Sequence, residues 1–195
     1  DLRITQQPQG PFVSGEHLGQ ITSSGQTAAV CPLGPSNSVV TKLAGGDCVV
    51  QFRSTAEQTL TIPQGVSSVA IVAVGGGAGG GIDGRPGGSG GEVRYLGSLS
   101  VTTDRNLVVD IGAGGSGGIY GGFGDGSNGE NTTVKLGSTL VLSAGAGRAA
   151  TTNDWHSQNG VAPSTGSLGQ VIGGGSGGNG VRISPDAHGT AGGDG

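Results

Sequence analysis

One stretch of the chain gathers side chains of the kind that hold sugars. Asn153, Asp154, Trp155 and His156, inside the run 151–159, set the sole tryptophan among hydrogen-bonding groups. An indole face stacks on a sugar ring while amide, carboxylate and imidazole groups reach its hydroxyls, so these four residues form the candidate ligand-binding set. The competing reading makes Trp155 an apolar cap on the end of a core. Other chemistry finds little footing. His17, His156 and His188 stand alone in loop-like sequence without metal-ligand spacing, and no metal site is expected. Gly112–Gly117 fits the nucleotide pattern Gly-x-Gly-x-x-Gly behind a strand, but no helix can start in so much glycine. Lys42 and Lys135, the two lysines, do not follow phosphate-loop spacing either, so no cofactor is expected. Gly121–Gly126 matches part of a calcium repeat with its Asp one position early and without recurrence, so Asp125, Asn128 and Glu130 read as turn residues. No Gly-x-Ser-x-Gly elbow marks a nucleophile, and the chain is expected not to be an enzyme.

The remaining two residues with distinctive chemistry are Cys31 and Cys48. A lone pair in an otherwise cysteine-free chain reads as a disulfide closing a loop of 17 residues, with two buried free thiols as the alternative. A bridge implies an oxidising, extracellular compartment and stabilises by roughly 3 kcal/mol in the chain-entropy treatment.

Composition narrows the field of partners. Nine basic against 13 acidic residues give a net charge of −4, and aromatics make up 3%. Such a chain has no basic face for phosphates and few stacking platforms, which argues against nucleic acid. The longest apolar run, Val69–Val74, is far too short to span a bilayer, so membrane insertion is not expected. Glycine is the outlier: 46 of 195 residues, with only 8 prolines, which excludes a collagen lattice.

The elements that must position these residues are strands. Residues 1–47 are rich in turn formers around brief apolar stretches and read as an extended N-terminal segment able to donate a strand. From 48 to 195 the chain reads as one glycine-rich unit. Period-two alternation marks strands at 49–53, 58–62 and 107–111, and at 93–101, where Val93, Tyr95, Leu99 and Val101 form the apolar side. Val69–Val74 is apolar on both faces and reads as a central strand. The runs 132–136 and 139–142 pair across Gly137-Ser138 as a hairpin. About seven strands suffice for a small antiparallel sandwich.

Between these strands lie glycine tracts at 75–91, 112–130 and 173–195, holding 11 of 17 residues in the first and 10 of 19 in the second. Gly112, Gly115, Gly118, Gly121 and Gly124 repeat every third residue, as do Gly84, Gly87 and Gly90. That period matches an extended left-handed helix with three residues per turn. Each glycine ordered this way costs roughly 0.5–1 kcal/mol more than alanine. A dense lattice of backbone hydrogen bonds offsets that cost; without it the tracts are flexible linkers. The period, the apolar residues Ile82, Ile119, Tyr120 and Phe123 within the tracts, and the turn signal at 83–87 favour packing.

Residues 58–69, the run into Gly75-Gly76-Gly77, Gly90–Tyr95 and Val109–Gly115 together resemble the glycine-rich domain of bacterial secreted and cell-surface proteins. They are similar in pattern to the glycine-rich extracellular region of anaplastic lymphoma kinase receptors and to glycine sandwiches of phage tail-fibre tips. The resemblance covers about 46–195 and implies a jelly-roll-like antiparallel β-sandwich with an inserted bundle of polyglycine II helices. It also implies a cell-surface setting. The expected function is a self-associating structural subunit of a fibre, filament or sheath, formed by strand exchange. The alternative is an adhesin or tail-fibre-type module that meets a glycan or surface receptor through 151–159.

Overall fold

The computed structural model describes residues 2–6, 31–81, 87–119, 125–149 and 165–176, the first of these as backbone alone. Among the described residues the fold is all-β and antiparallel, with no helix. The strands are β1 (Leu2–Gln6), β2 (Ser38–Lys42), β3 (Cys48–Phe52), β4 (Gln58–Thr61), β5 (Ser68–Val74), β6 (Glu92–Ser100), β7 (Asn106–Asp110), β8 (Thr132–Leu136), β9 (Thr139–Ala144) and β10 (Gln170–Gly174). They form a six-stranded sheet ordered β10-β6-β5-β1-β3-β2 and a four-stranded sheet ordered β4-β7-β8-β9.

Alternation explains most of this. In β3 the residues Cys48, Val50 and Phe52 turn inward, in β4 Gln58 and Leu60, and in β7 Leu107 and Val109. Side chains of both sheets meet in one cluster in which Phe52, Ile71, Leu107, Val109, Val134 and Leu142 are wholly excluded from solvent. The β8–β9 hairpin turns at Gly137, whose φ of 58° lies in the left-handed region that a side chain disfavours. Asp104 also crowds the place a Cβ would take there. The segment 1–47 supplies β1 and β2 to the larger sheet, and Cys31 and Cys48 form the expected disulfide, tying the approach to β2 to the first residue of β3.

β6 departs from its expected phase. Glu92 and Arg94 are buried at its start, while Tyr95 is 37% exposed. The cause is a β-bulge: Val69 pairs with Leu99 but Ile71 pairs with Leu96, so β6 carries one extra residue. Side chains alternate strictly along a strand, so one added residue exchanges its two faces. Leu96 and Leu99 both pack on the core from opposite parities.

Candidate functional site

Beyond the ends of β5, β7 and β9 the chain continues as glycine-rich segments that run beside one another with their backbones in contact. Segment 75–81 lies at the centre. The N–H groups of Gly75 and Ala78 donate to Glu92 O (3.0 Å) and Ser89 O (2.9 Å), while those of Gly76 and Gly79 donate to Glu130 O (2.9 Å) and Ser127 O (3.0 Å). The carbonyls of Gly77 and Gly80 accept from Gly115 N–H (2.8 Å) and Gly118 N–H (2.9 Å), and Gly76 O accepts from Gly147 N–H (2.7 Å). Residues three apart therefore face the same neighbour, and successive residues face different ones. The outer segments join each other as well: Glu130 N–H and Ser127 N–H donate to Ala113 O and Ser116 O, and Gly129 N–H to Gly147 O.

The same period governs where a side chain fits. A Cβ added to Gly76 or Gly79 would overlap the carbonyl of Ala113 or Ser116, and one added to Gly112 or Gly115 would overlap Glu130 or Ser127. Gly126 and Gly129 are blocked in turn by the carbonyls of Gly79 and Gly76. At Gly77, Gly80 and Gly117, by contrast, the nearest atom to an added Cβ is 3.9, 3.8 and 3.8 Å away. The positions that carry side chains keep this spacing: Ala113, Ser116 and Ile119 on one segment, and the pairs Ser127 and Glu130, Asn128 and Asn131 on another. Ile119 points outward and is 78% exposed, so it does not pack within the tract as expected; Ile82, Tyr120 and Phe123 lie outside the described residues.

Polar side chains in this body serve the backbone. Asn128 Oδ1 accepts from Ala149 N–H (2.7 Å) and Asn131 Oδ1 from Ala146 N–H (2.8 Å). Glu130 Oε2 accepts from Ala113 N–H (3.3 Å), and Ser127 Oγ from Ser116 N–H (2.7 Å). The fully buried Thr132 accepts from Gly112 N–H (3.0 Å) and donates to Val74 O (2.6 Å), joining the body to β5 and β8 at its base. Among the described residues no group of acidic, histidine or cysteine side chains has the arrangement of a metal site.

A buried ion pair fastens the seam between body and sheets. Arg94 Nε lies 2.8 Å from Glu92 Oε2, a second guanidinium nitrogen reaches Oε1 at 3.2 Å, and the side chains are 8% and 7% exposed. Glu92 Oε2 also accepts from Gly145 N–H (3.0 Å) and Gly166 N–H (2.7 Å), while Arg94 donates to the carbonyls of Leu168 (3.0 Å) and Gly169 (3.2 Å). Burial pushes the Glu92 carboxyl up, but the bonds from Arg94, Gly145 and Gly166 and the guanidinium charge outweigh it and hold the group below its ordinary value. The pair thereby closes 165–174 against the rest; Ser167 bridges Ser143 of β9, and β10 then joins β6.

Asn153, Asp154, Trp155 and His156, the candidate ligand set, lie outside the described residues, as do His17 and His188. So does most of the third glycine tract; its described beginning, Gly173-Gly174, belongs to β10. What the alternation missed is segment 144–149, Ala-Gly-Ala-Gly-Arg-Ala, which joins the glycine body with two glycines only. Its small residues directly behind β9 were the available signal. An apolar recess lined by Pro32, Val50, Leu60, Ile62, Val66 and Val69 beside Cys48 offers a ligand no polar side chain. A family model described as a glycine-rich domain matches residues 53–195. No curated protein and no solved structure matches the chain.

Proposed function

We propose that this chain, which belongs to the glycine-rich domain family, is a non-enzymatic extracellular structural subunit that self-associates into a surface fibre, filament or sheath. Its glycine body is a bundle of polyglycine II helices set into a jelly-roll-like sandwich. The observation that carries this reading is the backbone lattice around 75–81, whose donors and acceptors recur every third residue, as three residues per turn demands. A body joined backbone to backbone has few bonds that can rotate and little apolar surface to lose. It resists bending and proteolysis, and the 195 residues hold only nine lysines and arginines at which trypsin-like proteases could cut. The polar side chains of the body, from Asn128 to Thr132, are occupied with amides and carbonyls, which favours a mechanical role over a chemical one. The disulfide supports the extracellular setting.

Electron microscopy of the purified protein tests the reading. Filaments or sheets at micromolar concentration are expected. A persistent monomer that binds arrayed glycans would overturn it and favour an adhesin acting through 151–159.

A further inference from the structure

We propose that the channel between β3 and β5 is a strand-acceptor site that takes Leu2–Gln6 from a second copy of this chain, so that β1 passes from subunit to subunit. The inference rests on the self-association proposed above and names its surface. β1 lies inside the six-stranded sheet, antiparallel to β5 on one side and to β3 on the other. The register sets Leu2 opposite Phe52, and Ile4 opposite both Val50 and Ile71, residues whose exposure is 2% or less. The channel is therefore two facing rows of backbone donors and acceptors with a buried apolar floor. Such a slot takes an extended peptide by main-chain hydrogen bonds and selects it by the apolar residues at alternate positions. Within the family-matched part, β5 is the edge of β10-β6-β5, and a long apolar edge is a template for pairing with a further strand.

The chain path permits exchange. Because β1 is antiparallel to β3, Gln6 lies toward the end of β3 that begins with Cys48, and Cys48 is bonded to Cys31. Gln6 and Cys31 thus both lie toward the same end of β3, and seating β1 in its own sheet carries the entropy loss of closing the chain between them. Extended, residues 7–30 would reach roughly 80 Å at about 3.3 Å each, enough to seat β1 in a neighbour while Cys31 stays in place. Every ladder bond of β1 is then kept, and repetition from copy to copy gives an open chain of subunits.

A fluorescent peptide of residues 1–8 tests the slot against two acceptors: the chain lacking residues 1–6, and the full chain carrying Ile4→Asp, which retains the strand but places a charge opposite Val50 and Ile71. Saturable one-to-one uptake by either acceptor is the expected result, weakened about 100-fold or more when the peptide itself carries Ile4→Asp. No uptake by both acceptors would overturn the proposal, as would filaments that persist after residues 1–6 are removed. Uptake by a protein that stays monomeric would refute the exchange, whereas a closed dimer that loses its partner when residues 1–6 are removed would uphold the exchange and refute the filament reading, so the two fail separately.

Discussion

Phe52, in the sheets, and Gly79, in the glycine body, are both enclosed, and they show two opposite ways of filling space. Phe52 fills its surroundings with a large side chain, and its neighbours Val50, Ile71 and Leu107 do the same. Gly79 fills its surroundings by having no side chain, so that the carbonyl of Ser116 sits where a Cβ would be and the N–H bonds Ser127 O at 3.0 Å. In the sheets specificity is the shape of what is present. In the body it is the pattern of what is missing, and a position that tolerates a methyl lies one residue from one that does not.

The sharpest comparison therefore deletes atoms in one region and adds one in the other. Phe52→Ala should cost about 3–5 kcal/mol in chemical denaturation, and Gly79→Ala, which adds a single carbon against a backbone carbonyl, about 3 kcal/mol. Gly80→Ala, one residue on, should fall within about 1 kcal/mol of the wild type and on the stabilising side, since its Cβ would make ordinary van der Waals contact at 3.8 Å and alanine restricts the unfolded chain. Equal effects at 79 and 80 would contradict the lattice.

The seam between the regions comes next. Arg94→Ala strands the Glu92 carboxylate and should cost about 3 kcal/mol, with amides of 165–174 losing protection before those of β7 and β8. Thr132→Val keeps the shape but removes the bonds to Gly112 and Val74, at about 1–2 kcal/mol. Acid has the smallest effect. Glu92 is held below its ordinary value in the folded chain, so its contribution is present above about pH 4.3 and is lost as pH falls through that value and below. Melting of wild type and Glu92→Gln from pH 7 to 3 should show the wild type ahead at neutral pH and the gap closing in acid.

These contrasts also explain how far the sequence could be read. Strands β3 to β9 were legible because one apolar face is enough to set alternation, or in β5 because both faces are apolar, and the hairpin at Gly137 because its turn demands a left-handed residue. The buried Glu92–Arg94 pair was not, since the bulge in β6 that turns it inward depends on the register of β5, a partner far along the chain. The glycine period announced the lattice, yet segment 144–149 escaped notice because membership depends on which positions meet a backbone, and alanine serves wherever the Cβ faces out. Neither β10 nor the seating of β1 inside the sheet could be read locally: β10 leaves Val171 and Ile172 half exposed, and β1 is placed by β3 and β5.

Amide hydrogen exchange, resolved by residue, tests the central claim most directly. The N–H groups of Gly76, Ala78, Gly79, Gly115, Gly118 and Gly147 all donate to another segment. They should exchange as slowly as those of β5 and β8, through opening of the whole molecule. Exchange of these amides within seconds, while the strands stay protected, would contradict the account.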